Sequence, residues 1–308
     1  MSASSAAEDV RDALDYVGQD LRGKDFTGHS LVGANFAGAD LTDAIFYEAD
    51  VSEAEFTGAN LDGANFEQVC AVRACFGNAS MKESRFFGAD LSSATLSGAD
   101  LTSADLRSAT LTQARMVRCT LNDADLECAT LHDVSARGSS CVGTNFNRAK
   151  LGGSGLRELK GAEKASWLEA EITSVDFTGA YLLRRHILDQ NYIHEFRNRG
   201  LGHRIVYWVW WITSDCGRSM LRWGVCTLMV AVFFGLGYLI VDVDFGPNQT
   251  LLSPFYFSLV TITTLGYGDV LPRSMGAQFM VMAEVAMGYM MLGGMLSIFS
   301  DKMARRAG

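Results

Sequence analysis

Residues 264–269 read Thr-Leu-Gly-Tyr-Gly-Asp, a stretch with little side-chain reactivity but glycine at two alternate positions. Gly266 and Gly268 tolerate φ values that other residues resist, so successive carbonyl oxygens can be turned toward one axis. Rings of such oxygens replace the hydration shell of a cation. The chemistry available here is coordination and desolvation by backbone, without bond-making. A second candidate is Glu284, the one charge in the apolar stretch from Ser274 to Ser300. An ionisable group at membrane depth is a functional candidate by default, and a hydrogen-bonded structural role competes with it.

The elements around these residues follow from hydropathy. Trp223 to Val241 is 19 residues without a charge, and Ser274 to Ser300 is a second long apolar segment. Each is long enough to cross a hydrocarbon core. Between them, Ser253 and Pro254 read as the N-cap and first position of a helix running to about Thr263, too short to span. Bases set the orientation. Arg184, Arg185, Arg197, Arg199, Arg204, Arg218 and Arg222 precede the first span and Lys302, Arg305 and Arg306 follow the second, which places both termini in the cytoplasm of a multi-pass plasma-membrane protein. Tyr207, Trp208, Trp210 and Trp211 beside these bases mark a helix lying at the inner interface.

The run "SPFYFSLVTITTLGYGDVLP" resembles the pore region of potassium channels. The resemblance implies K⁺ sites at the carbonyls of Thr264, Leu265, Gly266 and Tyr267, with the Thr264 hydroxyl, and Gly268 completing the filter. Leu265 stands where Val is usual. Asp269, Thr263, Tyr256 and Phe257 are implied as filter support, the last two packing against the Tyr267 ring. One hairpin supplies a quarter of a filter, so a homotetramer in a lipid bilayer is implied. In related two-span channels the second helix lines the cavity and bends at a glycine 19 residues after the filter Asp. That glycine is Gly288 here, with Gly293 as a second flexible point and Tyr289, Leu292 and Leu296 on the pore side. Glu284 then faces the pore helix or the first span.

A different period fills residues 21–156. Stepping by five from Leu21 to Leu156 visits 28 positions, 25 of them Leu, Phe, Met or Val, so the spacing is a structural rule. Five residues suit neither a helix nor one continuous strand, hence the chain must turn a corner in each pentad. The residue two before each large one is usually Ala, which puts both on the same side of a short extended piece. The remaining residues are turn formers. Segments such as "GADLSSATLSGADLTSADLRSATL" resemble pentapeptide-repeat proteins, which implies a right-handed, four-sided β-helix of 20 residues per coil. Phe26, Phe46, Phe66 and Phe86 would then stack on one wall and Phe36, Phe56 and Phe76 on the opposite one.

The expected organisation is therefore a helical cap over residues 1–20, with Val10, Leu14 and Val17 at helical spacing. The β-helix follows over 21–183, interrupted at 157–166, then a linker with an interfacial helix over 184–222, and a two-span pore domain over 223–308. The fold class is multidomain, a quadrilateral β-helix followed by an α-helical membrane domain. Only eight residues follow the second span, so no ligand-sensing ring is expected there.

Charge separates the two parts. Residues 1–183 hold 27 acids against 15 bases, whereas the whole chain has net charge −9, so no basic nucleic-acid footprint is present. Some pentapeptide-repeat proteins use an acidic column to imitate DNA before topoisomerases, which leaves a membrane-anchored DNA mimic or docking scaffold as the alternative function. Otherwise the column is a regulatory or docking module for a cytoplasmic partner, and nucleic acid is not expected among its partners. Seven cysteines without a C-x-x-C pair read as reduced thiols. No catalytic constellation can be picked from a repeat that places acids at every turn, so neither an enzyme nor an organic cofactor is expected.

Overall fold

The computed structural model describes residues 14–178, 180–217, 219–246, 249–263, 265–266 and 270–304. Its backbone forms two compact units, the first ending at His194 and the second beginning at Glu195.

The first unit is a column of parallel bridges. Asp15 pairs with Asn35, Asp20 with Asp40, and the ladder continues to Gly155 with Asp176. An offset of 20 residues, held from Asp15–Asn35 to Ser140–Lys160, means four pentads per coil, and residues 15–176 make about eight coils, a column of about 38 Å at the usual strand spacing. Each corner takes a residue with positive φ, and many are not glycine: Asp43, Glu53, Arg73 and Ser103 all lie between 57° and 61°. That conformation is ordinarily disfavoured. Here the ladder stabilises it, because the corner N–H donates to the next coil, as from Asp43 to the Asp62 carbonyl at 3.0 Å.

Inside, the core residue of each pentad from Phe26 to Leu156 is buried, those at the two ends are partly buried, and the aromatic rings form two ladders. Phe46 stacks on Phe66 at 4.6 Å and Phe56 on Phe76 at 4.9 Å, and rings of the two ladders meet edge to face near 5.8 Å. Offset-stacked and edge-on pairs are the favourable geometries for aromatic quadrupoles. Serine and threonine at Ala positions return their hydroxyls to the backbone: Ser84 donates to Met81 O at 2.6 Å and Thr144 to Leu121 O at 2.6 Å. Cys119 and Cys141 also lie in this core, where burial pushes each thiol up to about 12.

Three boundaries differ from the sequence expectation. Leu14 and Val17 are not helical. Asp15 already bridges Asn35 and the Tyr16 ring stacks on Phe36 at 4.7 Å, because Tyr16 continues the five-residue phase of large core residues. The rest of the expected cap, residues 1–13, lies outside the described residues. The interruption contracts from 157–166 to a single extra residue. Ser140 pairs with Lys160 but Asn145 with Ser166, and a 3₁₀ turn at Ala162–Lys164 absorbs the insertion. The buried Trp167 indole secures that turn by donating to Ala162 O at 3.0 Å.

The linker expected from 184 is instead helix α1, Tyr181–Asn198, whose first half closes the column. Leu183 and Ile187 are buried against the core. Gln190 accepts the Trp167 N–H at 3.0 Å, and Asn191 accepts the Glu169 N–H at 2.6 Å. These side chains satisfy donors that a further coil would have satisfied, and such termini need capping in any solenoid.

The second unit is helical. Helix α2 is Leu201–Ser214, α3 is Met220–Gly237, α4 is Ser253–Ile262 and α5 is Met275–Ala304. Helices α3 and α5 are long and apolar enough to cross a membrane. A two-residue strand β1, Val243–Asp244, pairs antiparallel with β2, Leu271–Pro272. Arg273 forms an ion pair with Asp244, so the segments on either side of α4 are tied together. On α2, Leu201, Ile205, Trp208, Val209 and Ile212 are exposed, and Arg197 lies over the Tyr207 ring at 5.4 Å. A short helix with an exposed apolar and aromatic face beside bases suits a membrane interface.

Candidate functional site

The candidate site is built on α4. Its first turn is set by Pro254, whose missing N–H costs nothing there. The N-cap is Leu252, one residue earlier than expected. Ser253 Oγ accepts the Thr250 N–H at 2.8 Å, so that hydroxyl serves the preceding turn and does not cap the helix. The helix ends at Ile262. Thr263 Oγ1 donates to Leu259 O at 2.7 Å, and the Leu265 N–H reaches back to Val260 O at 3.0 Å, turning the chain sharply after ten helical residues.

At that turn Gly266 has φ +41° with nothing within 4 Å of where a Cβ would stand. The requirement for glycine there is conformational, since no neighbour crowds the position. Leu265 is exposed, and with Tyr256, Leu259, Val260 and Thr263 it lines an open recess of about 400 Å³. Thr264, Tyr267, Gly268 and Asp269 lie outside the described residues. Of the two aromatics expected beside the Tyr267 ring, Tyr256 is exposed. The Phe257 ring meets Tyr238 at 5.0 Å and Phe245 at 6.2 Å.

Glu284 is completely buried and joins three helical segments. The Tyr238 hydroxyl, one residue beyond α3, donates to its Oε2 at 2.6 Å, and Ser258 of α4 hydrogen-bonds its Oε1. Ser258 Oγ also lies 2.7 Å from Ala231 O of α3. The carboxyl group thus holds the short helix against both long ones, and among the described residues no buried side-chain polar atom lacks a partner.

Residues 225–305 match the family described as "Ion channel", and residues 31–75, 84–123 and 114–153 match pentapeptide repeats. The chain joins pentapeptide repeats to an ion-channel domain. The chain is 37% identical over 67 residues to potassium channel subfamily T member 1 of Homo sapiens, an alignment of 22% of this chain and 5% of that protein. It is 30% identical over 98 residues to two-pore potassium channel 1 of Arabidopsis thaliana, covering 30% of this chain and 26% of that one. The chain therefore spans about a quarter or less of the length of these curated relatives. The column is similar to HetL, a pentapeptide repeat protein of the cyanobacterium Nostoc, with 21% identity and TM-score 0.39 over 58% of this chain and 96% of that one.

Within the channel domain α5 runs unbroken through Gly288 and Gly293. A Cβ on Gly288 would stand 2.5 Å from the Ile262 carbonyl, so this glycine lets α5 approach the C-terminal end of α4. Gly293 faces open space, and Tyr289, Leu292 and Leu296 are exposed on the same side of the helix at i, i+3 and i+7.

Sequence reading missed four contacts of the channel domain. Trp223 Nε1 donates to Met291 O at 2.8 Å, and a Cβ on Gly294 would stand 2.2 Å from that indole. Tyr238 and Ser258, the partners of Glu284, were also not singled out. A lone hydroxyl in an apolar helix is a weak signal, since Ser and Thr can bond to their own helix backbone.

Proposed function

We propose that four copies of this chain form a potassium-selective pore in the plasma membrane, with both termini cytoplasmic and the column as a regulatory or docking module. The observation that carries the reading is the reversal after α4. A ten-residue helix, too short to cross, ends between two membrane-length helices and is followed at once by Gly266 in the positive-φ region. Irregular backbone at membrane depth is tolerated where it lines a cavity.

The names of the relatives, potassium channels of human and Arabidopsis, support K⁺ as the ion. The carbonyls of Thr264, Leu265, Gly266 and Tyr267 would replace its water, with Gly268 and Asp269 completing the segment. A single chain exposes Tyr256, Leu259 and Leu265 around an open recess. Copies related by fourfold symmetry would cover these residues, in keeping with a filter shared by four segments. The exposed row Tyr289, Leu292 and Leu296 would face the cavity, and Gly288 or Gly293 would carry any bend.

Reconstituted protein should pass K⁺ far better than Na⁺, and Gly266→Val should abolish conduction or selectivity while the assembly persists. A bi-ionic reversal potential near zero for K⁺ against Na⁺ would overturn the reading. Unchanged selectivity in Gly266→Val would place the ion path elsewhere.

A further inference from the structure

The column's arginines are not all used alike. Among the described residues of the β-helix there are nine: Arg22, Arg73, Arg85, Arg107, Arg115, Arg118, Arg137, Arg148 and Arg157. Seven form ion pairs with acids on the column. Arg115 and Arg118 do not, and both line a single groove of about 460 Å³.

Arg137 lines the same groove, with its partner Glu158 at 2.9 Å. Three guanidinium groups against one carboxylate leave the lining with a net charge of +2, on a unit whose acids outnumber its bases. Glu158 pairs with Arg137 and also feels the Arg118 charge, and it offsets only part of the positive lining.

The depth of the groove has a structural origin. Positions 78, 98, 118, 138 and 158 fall on the same corner of successive coils, about 4.8 Å apart. Coils above and below Arg118 carry Gly98 and Gly138 at that corner, with φ +74° and +72°. Elsewhere the same left-handed corner position accepts Asn, Asp, Glu, Arg or Ser, so glycine is not obligatory for the turn. A Cβ on Gly98 would stand 2.3 Å from the Asn78 amide oxygen, so Asn78 fills that step, whereas a Cβ on Gly138 would meet only Arg118 Cγ at 3.6 Å. Arginine offers a planar fork that binds phosphate oxygens in pairs, which a lysine does not.

We infer that this groove is a binding site for a small phosphate-bearing anion of diphosphate class, held by Arg115 and Arg118 with Arg137 beside them. The site is independent of ion conduction by the second unit. It gives the column a ligand class distinct from DNA mimicry, because a DNA mimic presents anions and this groove receives one.

The test uses the full chain in detergent at low ionic strength, titrated calorimetrically with inorganic pyrophosphate and separately with inorganic phosphate. Saturable binding of pyrophosphate is expected. Arg115→Gln and Arg118→Gln should each weaken it about tenfold or more, the usual consequence of losing a charged hydrogen bond. Arg73→Gln, which removes a paired arginine outside the groove, should leave affinity unchanged. Gly138→Asn keeps every charge and suits a positive-φ corner, yet fills the groove, and should also weaken binding. A native strand signal in circular dichroism confirms that each variant is folded. Absence of saturable binding by the wild type would overturn the inference, as would equal weakening by Arg73→Gln or undiminished affinity in Arg115→Gln and Arg118→Gln. An acidic peptide that bound the groove where pyrophosphate did not would overturn the phosphate assignment.

Discussion

The column and the channel domain solve opposite problems. In the column nearly every large apolar side chain is covered by the chain's own next coil, and the backbone ladder runs without a gap from Asp15 to Asp176. In the channel domain most apolar side chains of α3 and α5 are exposed, including Phe233, Met282, Met290 and Phe299. One unit is complete as a single chain. The other presents surfaces that only lipid or further copies can cover, because an isolated helical hairpin has too little interior to bury them. Polar contacts follow the same division. The column distributes its ion pairs over the exposed surface, where each contributes little, whereas the channel domain concentrates on one buried carboxyl, Glu284.

If the column is stabilised by ladders internal to it, Phe56→Ala should destabilise it by about 3–5 kcal/mol, since Phe56 is fully buried between Phe36 and Phe76. Thermal unfolding followed by the far-ultraviolet strand signal measures this. Ion selectivity of the surviving folded protein should not change, and a changed selectivity would tie the column's interior to the filter.

Next in size is the buried carboxyl. Removing Glu284 strands the Tyr238 hydroxyl at a cost of about 1–3 kcal/mol, while Ser258 keeps the Ala231 carbonyl as a partner, so Glu284→Ala should lower assembly yield or channel activity. Glu284→Gln retains hydrogen-bonding atoms at both positions and should be milder. Equal and negligible effects in the two variants would mean that the contact contributes nothing.

Removal of the column tests the independence of the two units. The cut belongs after His194, because Leu183, Ile187, Gln190 and Asn191 are parts of the column's closing cap. Deleting residues 1–194 should leave K⁺ selectivity intact while open probability shifts by a coupling of about 1–3 kcal/mol, read in single-channel recordings. A folded assembly that lost its preference for K⁺ would make the column part of the conduction machinery.

The smallest effect is expected at Asp244. The Gly246 N–H and then Arg273 hold its carboxyl below the usual range. A lowered pKa in the folded state stabilises above the unfolded value of about 3.9 and ceases to do so as pH falls through the folded value. Unfolding midpoints of wild type and Asp244→Asn should therefore differ slightly at neutral pH and converge below about pH 4. A difference that persisted in acid would assign the effect to something other than charge.

Legibility from sequence differed between the regions. The phase of Leu and Phe every five residues marked the coil, both Phe ladders and the break before Trp167. The ends were harder to read. Tyr16 continues the phase, but its small partner position is Leu14, which also fits helical spacing. The cap in α1 depends on Gln190 and Asn191 meeting backbone some 20 residues earlier in the chain, a contact no local period announces.

In the channel domain, the two membrane-length helices, the short helix after Pro254 and the glycine at 266 were determined by the sequence alone, because hydropathy, a missing N–H and a missing Cβ act locally. The tertiary structure decided that Gly288 admits the Ile262 carbonyl, that Gly294 admits Trp223, and that Glu284 finds Tyr238 and Ser258. It also decided that, among the described arginines of the column, Arg115 and Arg118 make no ion pair. Close approach and charge pairing depend on which atoms share a place in space, and in this chain those atoms lie from about 20 to about 70 residues apart. Such separations are beyond the reach of any pattern read along the chain.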